Sequence, residues 1–240
     1  MASPSAALAP LLAGKVAYVA VSGLCFGPAL ASGLEAQGAR VMLIGDEDAD
    51  GFASRAAVEA AFAAAAARVG LADLVVHAAA PASLRQRAAL AGMGEAAFRQ
   101  ADVALRATLY ALQAAHRQMA GRGGAIAVVG PALSLVGAKQ LVAQSTAGEG
   151  QRALVKSAAR QWGRGGITVN WVGTADARYA AELAGLAPEV PELGPPPCAL
   201  GHAPDWAEEV APVLAFLGSG AARALTGASI NLDGGDWMTP

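Results

Sequence analysis

Residues 15–45 read KVAYVAVSGLCFGPALASGLEAQGARVMLIG, and this stretch decides the fold. After Lys15 the next six residues are apolar without alternation, the mark of a strand buried on both faces. Gly23 and Gly27 permit a sharp turn, and a helix follows to about Gln37. Residues 39–45, ARVMLIG, make a second strand. A strand, a glycine turn, a helix and a strand in immediate succession form a crossover unit, which lays two strands parallel.

The same alternation continues to the end of the chain. Ser54 is an N-cap for a helix to about Val69, followed by a strand at 71–80, LADLVVHAAA. A helix over 95–119 leads to GGAIAVVG at 123–130, and a helix over 144–163 leads to GITVNWVG at 166–173. Residues 174–204 are rich in Pro, Gly and Ala and read as a mobile connection. A helix over 205–218 then feeds ASINLDGG at 228–235. The pattern predicts one α/β domain over 14–240, with a doubly wound, mainly parallel Rossmann-type sheet. Residues 1–13 read as a flexible arm, since Pro4 and Pro10 interrupt their apolar run.

The chain has 240 residues, 55% of them apolar, with a formal charge of -2 and no basic run. It offers no electrostatic footprint for nucleic acid or an anionic membrane. Cys25 and Cys198 have no metal-ligand spacing, so a reducing, cytoplasmic setting is expected and no metal site. Glu59 and Arg68 mark the alanine-rich segment at 56–69 as a soluble helix rather than a membrane span.

Four stretches carry a more specific signal. They are SGLCFGPALASGLEAQGARV, LADLVVHAAA, SAARQWGR followed by GITVN, and the tail ARALTGASINLDGGDWM. In this order and spacing they make residues 14–238 similar to the short-chain dehydrogenase/reductase family, especially 3-oxoacyl-carrier-protein reductases. The resemblance implies NAD or NADP on the first glycine turn. It also implies hydride transfer at a carbonyl, served by a Ser, a Tyr acid/base, a Lys and a helper Asn.

This chain departs from that pattern at each site. The family's turn, Thr-Gly-x-x-x-Gly-x-Gly, becomes Ser22, Gly23, Gly27 and Ala29, with Pro28 removing an N–H. Two glycines still suit a strand that must turn into a helix, so the turn reads as vestigial and no cofactor binding is expected. Asp46 stands near the place of a ribose-binding acid, within a run of solvated acids. Residues 45–72 are too few for the two helices and the strand that the family inserts there, so the region between the second and fourth family strands is shortened. Gly51 and Phe52 fall where the family has an Asp-hydrophobic pair beside the adenine. The Asn-Asn-Ala-Gly segment is replaced by His77, Ala78, Ala79 and Ala80. His77 reads as a hydrogen-bonded structural residue before it reads as an acid/base. Ala104 stands for the helper Asn, Pro131 for the Ser, Gln144 for the Tyr and Gly148 for the Lys. Ser134 is a poor substitute one turn on, and Thr174 and Ala175 replace the Pro-Gly that faces the nicotinamide. No catalytic residue is therefore expected.

The frame survives without these groups. In the family the two long helices form a four-helix bundle between subunits, and the last helix and strand form a second interface. Leu105, Leu109 and Leu112 on the first helix, with Leu154, Val155 and Trp162 on the second, are candidates for the bundle. The resemblance also implies a precedent, heterotetrameric dehydrogenases that pair a pseudoenzyme with a working subunit. The expectation is thus a non-catalytic subunit, two plus two with an active homologue that holds NAD or NADP and acts on a hydroxyacyl- or oxoacyl-CoA type of substrate. The alternatives are an enzyme with relocated groups, His77 with Ser134, or a ligand-sensing module in the emptied cleft.

Overall fold

The computed structural model describes residues 10–45, 52, 54–80, 87–175 and 199–238 of the chain. The arm up to Ala9, Asp46, Gly51, Cys198 and most of the 174–204 connection lie outside the described residues.

The described elements follow the predicted alternation. In chain order they are β1 (Val16–Ser22), α1 (Gly27–Ala36), β2 (Arg40–Ile44), α2 (Arg55–Val69), β3 (Leu74–Ala79), α3 (Glu95–Phe98) and α4 (Gln100–Met119). Then come β4 (Gly124–Pro131), α5 (Leu133–Val136), α6 (Val142–Trp162), β5 (Ile167–Thr174), α7 (Ala211–Gly218) and β6 (Ser229–Leu232). The strands form one sheet in the order β2-β1-β3-β4-β5-β6, with every pair parallel. Among the described residues α2 is the one helix between β2 and β3, and β2 ends the sheet. That agrees with a shortened region after the second strand.

Period-2 alternation sorts each central strand into two cores. Ala17, Val19 and Val21 of β1 face Leu30 and Leu34 of α1 and Leu214 of α7. Val16, Tyr18 and Ala20 face Phe62 of α2, Leu112 of α4 and Val155 of α6. Both faces are covered, which is why the central strands are mostly apolar.

Three boundaries differ from the sequence reading. Leu12, placed in the arm, is fully buried against the α1 and α7 face, and its N–H donates to the Gln37 carbonyl. A large apolar side chain beside Pro10 has found the core. The helix expected over 95–119 is divided by a turn at Arg99 into α3 and α4. The helix expected from residue 205 starts as a π-helical turn, Trp206–Val210, in which the Ala211 N–H reaches back to the Trp206 carbonyl. Pro212 explains the wider turn, since it has no N–H for the Glu208 carbonyl.

Gly33 lets α1 approach that turn. A Cβ there would lie 2.5 Å from the Ala207 carbonyl oxygen and 2.5 Å from Ala211 Cβ. Alanine is the better helix former by about 1 kcal/mol, but overpacking against backbone costs about 1–3 kcal/mol or more. Gly33→Ala is therefore expected to lower the melting temperature by several degrees in a calorimetric scan. A rise would mean that α1 is free to shift.

Candidate active-site cleft

In an open parallel sheet the crevice lies at the carboxyl ends of the strands, where the strand order reverses. Here that point is between β1 and β3.

The turn after β1 keeps its two glycines for local reasons. Gly23 has φ 68, the left-handed region. Gly27 sits so close to the sheet that a Cβ would be 2.7 Å from Val21 Cγ2 and 2.9 Å from Leu43 Cδ1. Ser22 is buried at the end of β1, while Pro28 and Ala29 are exposed at the start of α1. Between them Phe26 stacks on Trp206, with ring centroids 3.8 Å apart and 13° between planes. The turn is thus pinned to the element before α7.

Phe52 occupies the corner by β2. It is 2% exposed, its ring lies against Gly45, and its centroid is 5.5 Å from that of His77. Gly45, at φ 95, has no room for a Cβ beside the Val21 carbonyl.

His77 is fully buried in β3. Its Nδ1 is 3.0 Å from the Ala20 carbonyl oxygen, and its Nε2 is 3.2 Å from Thr108 Oγ1 of α4. Gln151 Nε2 of α6 donates to the same Thr108 oxygen at 3.0 Å. Burial holds the imidazole pKa down to about 4, against a smaller upward pull from the Ala20 carbonyl. His77 is therefore neutral near pH 7. Because a carbonyl only accepts, Nδ1 is assigned the proton, and Nε2 accepts from the Thr108 hydroxyl. Both ring nitrogens are engaged away from Ser134, so the pairing of His77 with Ser134 as relocated catalytic groups does not form.

The four positions that the resemblance assigns to the family's reacting groups are closely packed. Ala104 joins Ala101, Ala143 and Ala147 in a small apolar cluster between α4 and α6. Pro131 ends β4 opposite Thr174, and the Ala132 N–H donates to the Thr174 carbonyl. Ala175 beside Thr174 is buried too. Gln144 is buried on α6 and does not titrate. Gly148 is in direct contact with α5, for a Cβ would be 2.9 Å from both Cβ and Oγ of Ser134. Ser134 Oγ is itself buried with no hydrogen-bond partner among the described residues.

The sequence reading missed Thr108, Gln151 and Trp171. Trp171 of β5 is fully buried, and its indole covers Gly130 and Gly173, which are partners in the β4–β5 register. A Cβ at Gly130 would be 2.9 Å from the indole nitrogen, and one at Gly173 2.6 Å from Cζ3. Two glycines at matched places near the ends of neighbouring strands were the available signal. Thr108 and Gln151 gave none.

The outer side of α4 and α6 is more open. A cavity of about 330 Å³ is lined by Leu105, Leu109, Leu154 and Gly150, with Asp102 and Arg106 at its rim. A second, of about 160 Å³, adjoins it through Leu109 and Leu154 and reaches Ser157 and Trp162. Of the six candidates for a bundle face, Leu112 and Val155 are buried in the core shared with the sheet. Trp162 packs on the His116 ring, with centroids 4.6 Å apart. Among the described residues there is no cluster of metal-ligating side chains, and no helix is long and apolar enough to cross a membrane.

A family model described as Enoyl-(Acyl carrier protein) reductase matches residues 49–236. Among solved structures, a dehydrogenase/reductase from Sinorhizobium meliloti 1021 is 24% identical with a TM-score of 0.75, over 96% of this chain and 98% of that one. A gluconate 5-dehydrogenase from Burkholderia cenocepacia J2315, solved with NADP and tartrate, is 23% identical with a TM-score of 0.73, over 95% and 98%. A protein described as ribose-5-phosphate isomerase from Brucella melitensis 16M is 25% identical with a TM-score of 0.76, over 95% and 94%. These structures are described by different reactions, so the likeness carries the fold. No curated protein matches the chain.

Proposed function

Because the chain belongs to the short-chain dehydrogenase/reductase family, we propose that it is a non-catalytic member that assembles with an active one and supports its structure. The observation that carries this reading is the contact of Gly148 with Ser134. The place of the family's lysine is filled by a neighbouring helix, so a longer side chain has nowhere to go. Ala104, Pro131 and Gln144 leave the other three places without a group that can move a proton. Pro28, without an N–H, and the Phe52 ring at the β2 corner also suit NAD or NADP poorly. In this reading the dinucleotide belongs to the partner.

The outer face of α4 and α6 is the surface for that partner, with Leu105, Leu109 and Leu154 exposed to differing degrees along it. Closed symmetry favours two of each chain. The precedent in the resemblance is the inactive subunit of 2-[hydroxy(phenyl)methyl]succinyl-CoA dehydrogenase in anaerobic toluene degradation. A CoA thioester is accordingly the substrate class assigned to the partner.

Two measurements test the reading. Calorimetric titration of the isolated chain with NADH and NADPH is expected to give no saturable heat. Native mass spectrometry of the protein purified from its source is expected to find a second dehydrogenase chain in equal number. Micromolar cofactor binding, or an assembly of this chain alone, would overturn it.

A further inference from the structure

We propose that the buried relay from Gln151 through Thr108 to His77 is an acid-sensitive latch that holds α4 and α6 on the sheet. The relay runs Gln151 N–H to Thr108 oxygen, Thr108 O–H to His77 Nε2, and His77 Nδ1–H to the Ala20 carbonyl. It joins α6, α4, β3 and β1, four elements far apart in the chain. Each link has one donor and one acceptor only while His77 is neutral.

A proton on Nε2 breaks that order. It sets a second donor against the Thr108 hydroxyl proton and places an imidazolium where no carboxylate among the described residues balances it. From β1 the facing groups are the Ala20 carbonyl and Tyr18, whose hydroxyl is turned away to the Gly70 carbonyl. β4 brings Ile126 and Val128 to this core, and the ring of Phe52 lies beside the imidazole. On α2, Glu59 is half-buried and paired with Arg55 and with Arg117 of α4. On α4, Asp102 and Arg106 are exposed, and on α6 Arg152 is turned to Glu149 and Ser229. A buried cation without a carboxylate is relieved when the elements over it open and water enters.

The opened state binds the proton at the ordinary histidine pKa, whereas the closed state resists it down to about 4. The closed form therefore has its full advantage above pH 6.5 and loses it as the pH falls towards 4. One proton taken up on opening makes the opening constant rise about tenfold per pH unit in that window.

Amide exchange of the isolated chain, read by mass spectrometry and corrected for intrinsic rates, tests this without reference to any partner. Between pH 7 and pH 5, opening of α4 and α6 is expected to rise by more than tenfold, with less change in α1 and α7. His77→Gln, neutral at every pH, should flatten that dependence, and Thr108→Val should raise opening already at pH 7. Imidazole nitrogen shifts of His77 in the unsubstituted protein give a readout that needs no variant. They should report a neutral ring with the proton on Nδ1 at pH 6. Exchange in α4 and α6 that is flat from pH 7 to 5, an unchanged slope in His77→Gln, or a charged His77 in the closed protein at pH 6 would each overturn the proposal.

Discussion

Returning the family's reacting groups to this chain, as Pro131→Ser with Gln144→Tyr and Gly148→Lys, is expected to give no turnover and a less stable protein. The obstacle is space. At Gly148 the first side-chain carbon would meet Ser134 Cβ and Oγ at 2.9 Å, and a lysine adds four more heavy atoms. Gln144 is buried, so a tyrosine ring there must displace neighbours as well. Overpacking at each place costs about 1–3 kcal/mol, more than the 0.8–1.0 kcal/mol that replacing a helical glycine can return. The melting temperature should fall by several degrees. The missing helper remains Ala104, locked in its alanine cluster. Steady-state assays with NADPH and a ketone, or a β-ketoacyl thioester, read the activity, and a thermal scan reads the stability. Gly148→Ala should be less harmful in a Ser134→Gly background than alone, because the clash is with that side chain. Turnover by the triple variant, or no coupling between positions 134 and 148, would show that α5 yields and that the site is not packed shut.

Charging the outer face of α4 and α6 is expected to abolish the mixed complex and leave the fold intact. Leu109, 36% exposed, and the half-buried Leu154 share both surface cavities. Leu109→Glu with Leu154→Glu puts one carboxylate in solvent and one at the half-buried edge of the sheet-facing core in the free chain, and buries both, unpaired, in the complex. A buried uncompensated charge costs about 3–5 kcal/mol, so affinity should drop more than 100-fold. Ala158 serves as the contrast. It is 5% exposed and belongs to the core shared with the sheet, so Ala158→Glu should unfold the chain rather than merely dissociate it. Co-expression with the partner, size-exclusion chromatography and circular dichroism separate the two effects. A mixed complex that survives both Leu substitutions would move the partner surface elsewhere.

The strands, the glycine turn and the missing span after β2 were all legible in the amino-acid sequence, because each is a local property. An apolar run, a Pro or a Gly acts on its immediate neighbours, and residues 45–72 are too short whatever surrounds them. The helical register of Gln144 and Gly148 was legible for the same reason, since it is counted back from GITVN through one continuous helix. What fills those places depended on contacts between residues distant in sequence. Ser134 closes over Gly148 from another helix, and Trp171 closes over Gly130 from the next strand. Thr108 meets His77 across 31 positions and Gln151 across 43. The same limit separated Leu109 and Leu154 from Leu112 and Val155. A run of apolar residues on a helix announces that some face is buried, but not which neighbour buries it. Leu12 went to the core on that basis alone, out of a segment whose prolines read as an arm. Propensity and spacing are carried by the chain itself, whereas close packing exists only once the elements have met, and that packing decided what surrounds His77, Ala104, Gln144 and Gly148.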